Sequence, residues 1–404
     1  MSNPTTTATA SPIPAKVPRW KISPANGRYF INSVAVSADG GRVIGGTFYH
    51  HYVAAESRRG PAAAPDNSTS PENGRYGVYA YDALGQPLWQ DEFEGWQGVY
   101  WVGISADGSR AAAGGFMAET APQGFLRAYD AATGRRLLAV ETAQRVNQVA
   151  LSGDGTWLVS AAETLRLFHQ AGAAAAYVPA DEFMPNHTMG IVSAAISADG
   201  LTVVCADFAG QVRVFANDAG RLTVRANWKV PGEEPSDFCH MIDLAADGKT
   251  FAAGGAHGLF YSFDVAQFIA TGQPSGSYQT PVDGAVYGVA MEGDGRRFAG
   301  VVNDGAAGKA YVVPLVNGRP GPATEFGLAH NPNSIALNGA AGLAAVADGH
   351  PDGKPGSFTL FDLAAGAPRW TCATHNMSWP IAIAADGGTV VGGSDDSYIY
   401  CFTP

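Results

Sequence analysis

The side chains of this chain best suited to acid–base or metal chemistry are its nine histidines, at positions 50, 51, 169, 187, 240, 257, 330, 350 and 375. Imidazole titrates near neutral pH and ligates transition metals, so three or more together could hold an ion or move a proton. No HxH or HExxH spacing brings two of them onto one face of a single element. The four cysteines, Cys205, Cys239, Cys372 and Cys401, include no CxxC and no vicinal pair. Buried free thiols are expected from them rather than a disulfide framework. Any site must therefore be assembled by the fold from distant segments.

That fold is written as a repeat. An apolar run, a turn of the form Ser/Ala-Ala-Asp-Gly and a second apolar run ending in small residues recur eight times. The phrase reads VAVSADGGRVIGG at 34–46, VGISADGSRAAAGG at 102–115 and IAIAADGGTVVGGS at 381–394. Its Asp marker falls at 39, 107, 154, 199, 247, 294, 340 and 386, with Ala340 replacing Asp in the seventh copy. Apart from the first interval of 68, the spacings run from 45 to 48. A fixed period of that size marks a repeat architecture.

Each repeat holds four strand-like segments, in the second copy 99–105, 109–116, 124–131 and 135–142. Asp-Gly suits the tight turn between the first two, because Gly tolerates positive φ and Asp bonds to nearby backbone. Four antiparallel strands per repeat, without helical periodicity, predict an all-β fold: an eight-bladed β-propeller of four-stranded antiparallel blades. The last repeat stops after a third strand, YIYCF at 398–402, whereas PRWKIS at 18–23 precedes the first copy. We expect the ring to be closed by this N-terminal strand, 19–23 pairing with 398–402. Residues 18–404 then form a single domain, 1–17 a disordered leader, and 48–76 a loop insertion in the first blade.

The phrase AYDALGQPLW at 80–89, with echoes at YDAATGRRLL and FDLAAGAPRW, resembles the repeat of quinoprotein-dehydrogenase-like propellers. The Ser-Ala-Asp-Gly turns resemble those of bacterial WD40-like propellers. The resemblance covers roughly 19–404, and it implies the fold together with Trp residues that dock neighbouring blades. Quinone-dependent members carry a vicinal Cys pair against their cofactor, and this chain has none, so pyrroloquinoline quinone is not expected here.

In a propeller, the outer-to-inner connections share one face with the turns between second and third strands. His187, His240, His330 and His375 fall in the former, and His50, His51, His257 and His350 in the latter. His169 stands apart, at the end of a third strand. Imidazoles on neighbouring blades suggest a metal site formed by His50, His51, His240, His330 and His375, with His240 and His375 as acid–base groups. Asp395 or Asp396 would orient them. The same bias would also follow from the longer loops on that face. Inner-strand starts, which ring the channel mouth, are Asn32, Tyr100, Asn147, Val192, His240, Tyr287, Asn333 and Trp379. With Trp101, the residues Tyr100, Tyr287, Asn333 and Trp379 offer stacking surfaces and fixed hydrogen-bond groups to a small ligand.

A net charge of −11 and the lack of any basic cluster exclude a general nucleic-acid surface. No apolar stretch approaches membrane-spanning length, and the chain as given opens without a signal peptide. A cytoplasmic monomer is the expectation. Two classes of function fit. One is a site for a small molecule or a transition metal at the channel mouth, extending to a metal-dependent enzyme. The other is a non-catalytic scaffold that binds a protein partner on the same face, with Trp96, Phe116 and Tyr52 as anchors.

Overall fold

The computed structural model describes residues 13–24, 29–48, 75–94, 96, 98–117, 122–303, 308–350 and 354–404. Its strands follow the repeat. The second copy gives Gly98–Ile104, Arg110–Phe116, Gly124–Asp130 and Arg136–Thr142, each antiparallel to the next. Among the described residues there are eight such four-stranded units; a single pairing, Phe48 with Gly98, joins the first two, and one unit carries an extra two-residue strand, Arg319–Pro320. The inner strands contact one another in succession from Phe30–Val36 round to Ser378–Ile383, and Ser378–Ile383 in turn contacts Phe30–Val36. The fourth strand of that last sheet is Trp20–Ile22, with Trp20 opposite Cys401 and Ile22 opposite Ile399.

The repeated phrase explains the blade. Ser37 Oγ donates to Asp39 Oδ1 at 2.6 Å, and the Gly41 and Arg42 amides donate to Asp39 and Ser37. The same lattice recurs at Ser105–Asp107, Ser152–Asp154 and Ser197–Asp199. The Ser37 hydroxyl first, then the Gly41 amide, holds the Asp39 carboxyl below its ordinary pKa. Backbone bonds then link turn to turn: Ala38 N–H to Ala106 O, Asp107 N–H to Gly153 O, Gly153 N–H to Ala198 O, and Asp386 N–H to Ala38 O.

The small residues that end the phrase serve the contact between blades. A Cβ added to Gly114 would lie 2.2 Å from Val146, and one added to Gly254 would lie 2.2 Å from Val286. Each valine enters the next inner strand, so only glycine lets the blades approach this closely. Second strands such as Arg110–Phe116 are accordingly buried almost throughout, whereas outer strands such as Pro87–Glu94 alternate. Tryptophans dock the outer edges: Trp20 Nε1 donates to Ala83 O at 3.2 Å and Trp89 Nε1 to Ala131 O at 2.9 Å.

Two features depart from the sequence reading. A helix, Val265–Thr271, sits between third and fourth strands of the fifth unit. Asp264 caps its start by accepting from the Gln267 amide, Gly272 ends it at φ 68°, and Phe268 is buried beneath it. In addition, part of the supposed leader pairs with the seventh unit. Lys16 N–H donates to Thr371 O at 2.8 Å, and Thr371 N–H to Pro14 O at 3.0 Å. The four cysteines are buried and unpaired. Among the described residues, no helix is long and apolar enough to cross a membrane.

Because Trp20–Ile22 completes the last sheet, removing residues 1–22 should destabilise the whole domain in one cooperative transition, with the melting temperature lowered by several degrees. Removal of 1–12, which stops short of the Pro14 and Lys16 bonds, should change it little. Calorimetric scans of both truncations decide this; equal melting temperatures for the longer truncation and the intact chain would contradict it.

Candidate functional site

A cavity of about 670 Å³ opens where the inner strands begin. All eight inner-strand starts named from the sequence line it, joined by Trp101, Phe48, Phe116, Arg145, Gln148 and Phe208 among others. Its wall is aromatic on two sides. His240 packs 4.3 Å from Phe238 and 4.8 Å from Tyr287, centroid to centroid, and Tyr287 lies 6.3 Å from Trp379. On the other side the Arg145 guanidinium sits 3.9 Å over the Tyr100 ring. Burial pushes the His240 pKa down to about 4, so its ring is neutral at physiological pH. The Tyr287 hydroxyl is held above its ordinary pKa, by burial first and then by the nearby Tyr100 hydroxyl.

The polar lining divides by what its hydrogen bonds already do. Asn32 Nδ2 donates to Tyr100 O at 2.8 Å, and Asn147 Nδ2 to Ile191 O at 2.8 Å. Gln148 Oε1 accepts from Ser193 Oγ and the Ala194 amide. Asn333, proposed above for ligand contact, is 1% exposed. Its Nδ2 bonds Gly349 O and Ser378 O, and its Oδ1 accepts from Asn303 and Asn331. These amides stitch successive inner strands and have little left for a ligand. The polar side-chain atoms of Tyr100, Tyr287, Trp379 and His240 make no hydrogen bond among the described residues. Sequence reasoning missed Arg145, because it precedes the inner strand by three residues and belongs to no motif.

The expected convergence of histidines does not occur among the described residues, where His240 is the histidine of the cavity lining. His330 and His375 are not part of that lining, and no three His, Cys, Asp or Glu side chains come together as a metal ion requires. His50 and His51, with Tyr52, lie outside the described residues. The physical reason is that several histidines anchor loops instead. His187 Nε2 lies 3.0 Å from Asp207 Oδ2, a fully buried carboxylate that also accepts from Arg213 and the Gln211 amide. Asp348 ends the second strand of the seventh unit as Asp207 does in the fourth. It accepts from Ser357 N–H and Oγ, and burial raises its pKa while Ser357 and His330 oppose that rise. The signal was in the sequence: VVCAD and AAVAD both end in Asp, and each follows a histidine-bearing connection.

His375 is exposed, and its amide reaches Asp396 at 3.5 Å. Asp396 also accepts from the Tyr400 hydroxyl and lies 3.7 Å from Lys21 Nζ. It therefore ties the N-terminal strand into the last blade rather than orienting a catalytic imidazole. His257 contacts Asp283 at 2.8 Å, and that bond raises its pKa. His169 packs 4.3 Å from Trp157. Trp96, expected as an exposed anchor, is stacked on Phe93 at 4.8 Å with Arg127 over its ring.

Comparison with solved structures finds the same fold. The chain superposes on Sqt1 from Chaetomium thermophilum bound to the N-terminus of the ribosomal protein L10, with a TM-score of 0.70 and 14% identity, covering 94% of this chain and 98% of that one. A second structure of Sqt1 from that organism gives a TM-score of 0.70 and 14% identity, covering 94% and 97%. The fold is thus a WD40-like β-propeller. No family model and no curated protein matches the chain.

Asp395 is fully enclosed beside Asp396, and burial followed by the neighbouring charge raises its pKa to about 8. A carboxyl whose folded pKa exceeds its unfolded value contributes stability below the unfolded pKa, and that contribution is lost as pH rises towards the folded one. Asp395→Asn should therefore stabilise the protein at pH 7 by about 1–4 kcal/mol. The gain should vanish below pH of about 4, where Asp is protonated in both states. Denaturant titration of both proteins at the two pH values measures it.

Proposed function

We propose that this protein is a non-catalytic interaction propeller that holds a segment of a protein partner at the mouth of its central channel. The observation that carries this reading is the aromatic cavity at the inner-strand starts. Aromatic rings line it, its one described histidine is neutral, and among the described residues no metal-binding cluster lies beside it. A volume of about 670 Å³ suits a few inserted side chains. The likeness to Sqt1, solved with the N-terminus of a ribosomal protein, lends support from a chain of the same fold. Tyr287, 39% exposed, together with Trp379 and Phe116, would supply the anchors.

The same cavity also favours a second reading, in which a small free molecule occupies it. We further read the eight units as eight blades of a closed ring. The Trp20 and Trp89 contacts to the following blade support kinship with quinoprotein-type repeats, a kinship of repeat that carries no activity with it.

Affinity recovery from an extract of the native host tests the reading. Proteins retained by the intact chain should be lost with Tyr287→Ala and Trp379→Ala, each costing about 1–3 kcal/mol of affinity. They should be kept by Leu201→Ser, an exposed change beside an Asp-Gly turn. If no protein is retained, or if Leu201→Ser loses it equally, the reading fails.

A further inference from the structure

Arg145 is a cation without an acid among the described residues. It lines the cavity, sits over the Tyr100 ring, and donates Nε to Asn147 Oδ1 at 2.9 Å, yet it has no ion pair among the described residues. The chain carries 36 acidic residues against 25 basic ones. None of those acids is among the twenty described residues that line the cavity. Among the described residues the site is thus the reverse of the molecule around it, with one fixed positive charge and no negative one. Around that charge stand further donors. The Tyr100 and Tyr287 hydroxyls face the same space, and neither has a protein acceptor among the described residues. Opposite Arg145, the His240, Tyr287 and Trp379 rings form an apolar wall.

We propose that the cavity binds an organic carboxylate carried on a flat apolar body, the carboxylate seated on Arg145 and the body against Tyr287, Trp379 and His240. The terminal nitrogens of the guanidinium match a carboxylate in geometry and charge. Its contact with the Tyr100 ring and its bond to Asn147 hold it in place, which lowers the ordering cost of binding. The tyrosine hydroxyls add neutral donors, and the ring wall excludes water from the pair, which strengthens it. A carboxylate of this kind has two sources: a free aromatic acid, or the C-terminal residue of a polypeptide. The inference deepens the reading of this face as a recognition face, because it names the group recognised.

The test is calorimetric titration of the full chain with phenylacetate and with its neutral analogue phenylacetamide. Parallel arms use a tetrapeptide ending in Phe with a free carboxylate and the same peptide amidated. Phenylacetate should bind at least about tenfold more tightly than the amide, as loss of a charged hydrogen-bonded pair implies. Arg145→Gln should remove that preference. Tyr287→Phe, which keeps the ring and the fold, should weaken the acid roughly two- to tenfold. Binding of phenylacetate alone identifies a free acid as the source, and binding of the free-carboxylate peptide as well identifies a chain end; both support the proposal. Equal binding of acid and amide, an unchanged preference in a folded Arg145→Gln protein, or no binding of any carboxylate up to about 1 mM would overturn it. Failure here with partner recovery still sensitive to Trp379→Ala would leave the interaction reading standing. Carboxylate binding without any recovered protein would do the opposite.

Discussion

A four-stranded sheet with apolar residues on both faces cannot stand alone in water, and this chain is built from eight of them among its described residues. Each must be covered on both sides by its neighbours, and the cover must fit. The fit is made where the glycines that end a second strand meet the valine that opens the next inner strand, as Gly114 does with Val146 and Gly254 with Val286. At those places an added methyl group would overlap the valine, so the blades would have to separate. Hydrophobic burial supplies the drive, but it is this steric allowance that brings successive inner strands close enough to converge. The cavity exists because they converge.

Convergence has an electrostatic consequence. Inner strands that start side by side leave carbonyls and amides at the mouth that no sheet pairing satisfies, and buried polar groups without partners are costly. Asn32, Asn147, Gln148 and Asn333 meet that need by reaching across to the next blade. Further in, Ser33 and Asp243 do the same for the Val102 and Met291 amides. The mouth is therefore rigidly stitched, and the groups not used in stitching are held in fixed positions. Preorganisation of that kind reduces what a ligand loses on binding.

The fold was legible because its signals are local and repeated. Asp-Gly turns, alternating strands and a period of 45–48 can be read without knowing any contact. Even the pairing of Trp20–Ile22 with Ile399–Phe402 follows from a strand missing at one end and present at the other. The helix at Val265–Thr271 was not legible, since about two turns capped by Asp264 and Gly272 are too short to impose a period. The eight positions at the channel mouth were legible for the same reason as the turns, because each lies at a fixed offset from its marker. What those positions do was not. Asn333 and Trp379 occupy equivalent places, yet one is consumed by four hydrogen bonds and the other presents its ring to the cavity.

The histidines mark where counting residue types stops being informative. A face with longer loops needs tethers, and the side chains that tether are those that also do chemistry: imidazole, carboxylate, guanidinium. His187, Asp207 and Arg213 form a group that resembles a catalytic cluster in composition, but each member is already satisfied by the others and by backbone, with Asp207 wholly buried. Such a group is stable because it is complete, and a complete group offers nothing to a ligand. Arg145 is the contrary case. One of its nitrogens is committed to Asn147, its guanidinium is held over the Tyr100 ring, and its charge has no counterpart among the described residues. In a chain of net charge −11, an arginine could readily have been given an acidic neighbour. Recognition is best sought at positions where the protein fixes a charged group in place and leaves it unanswered.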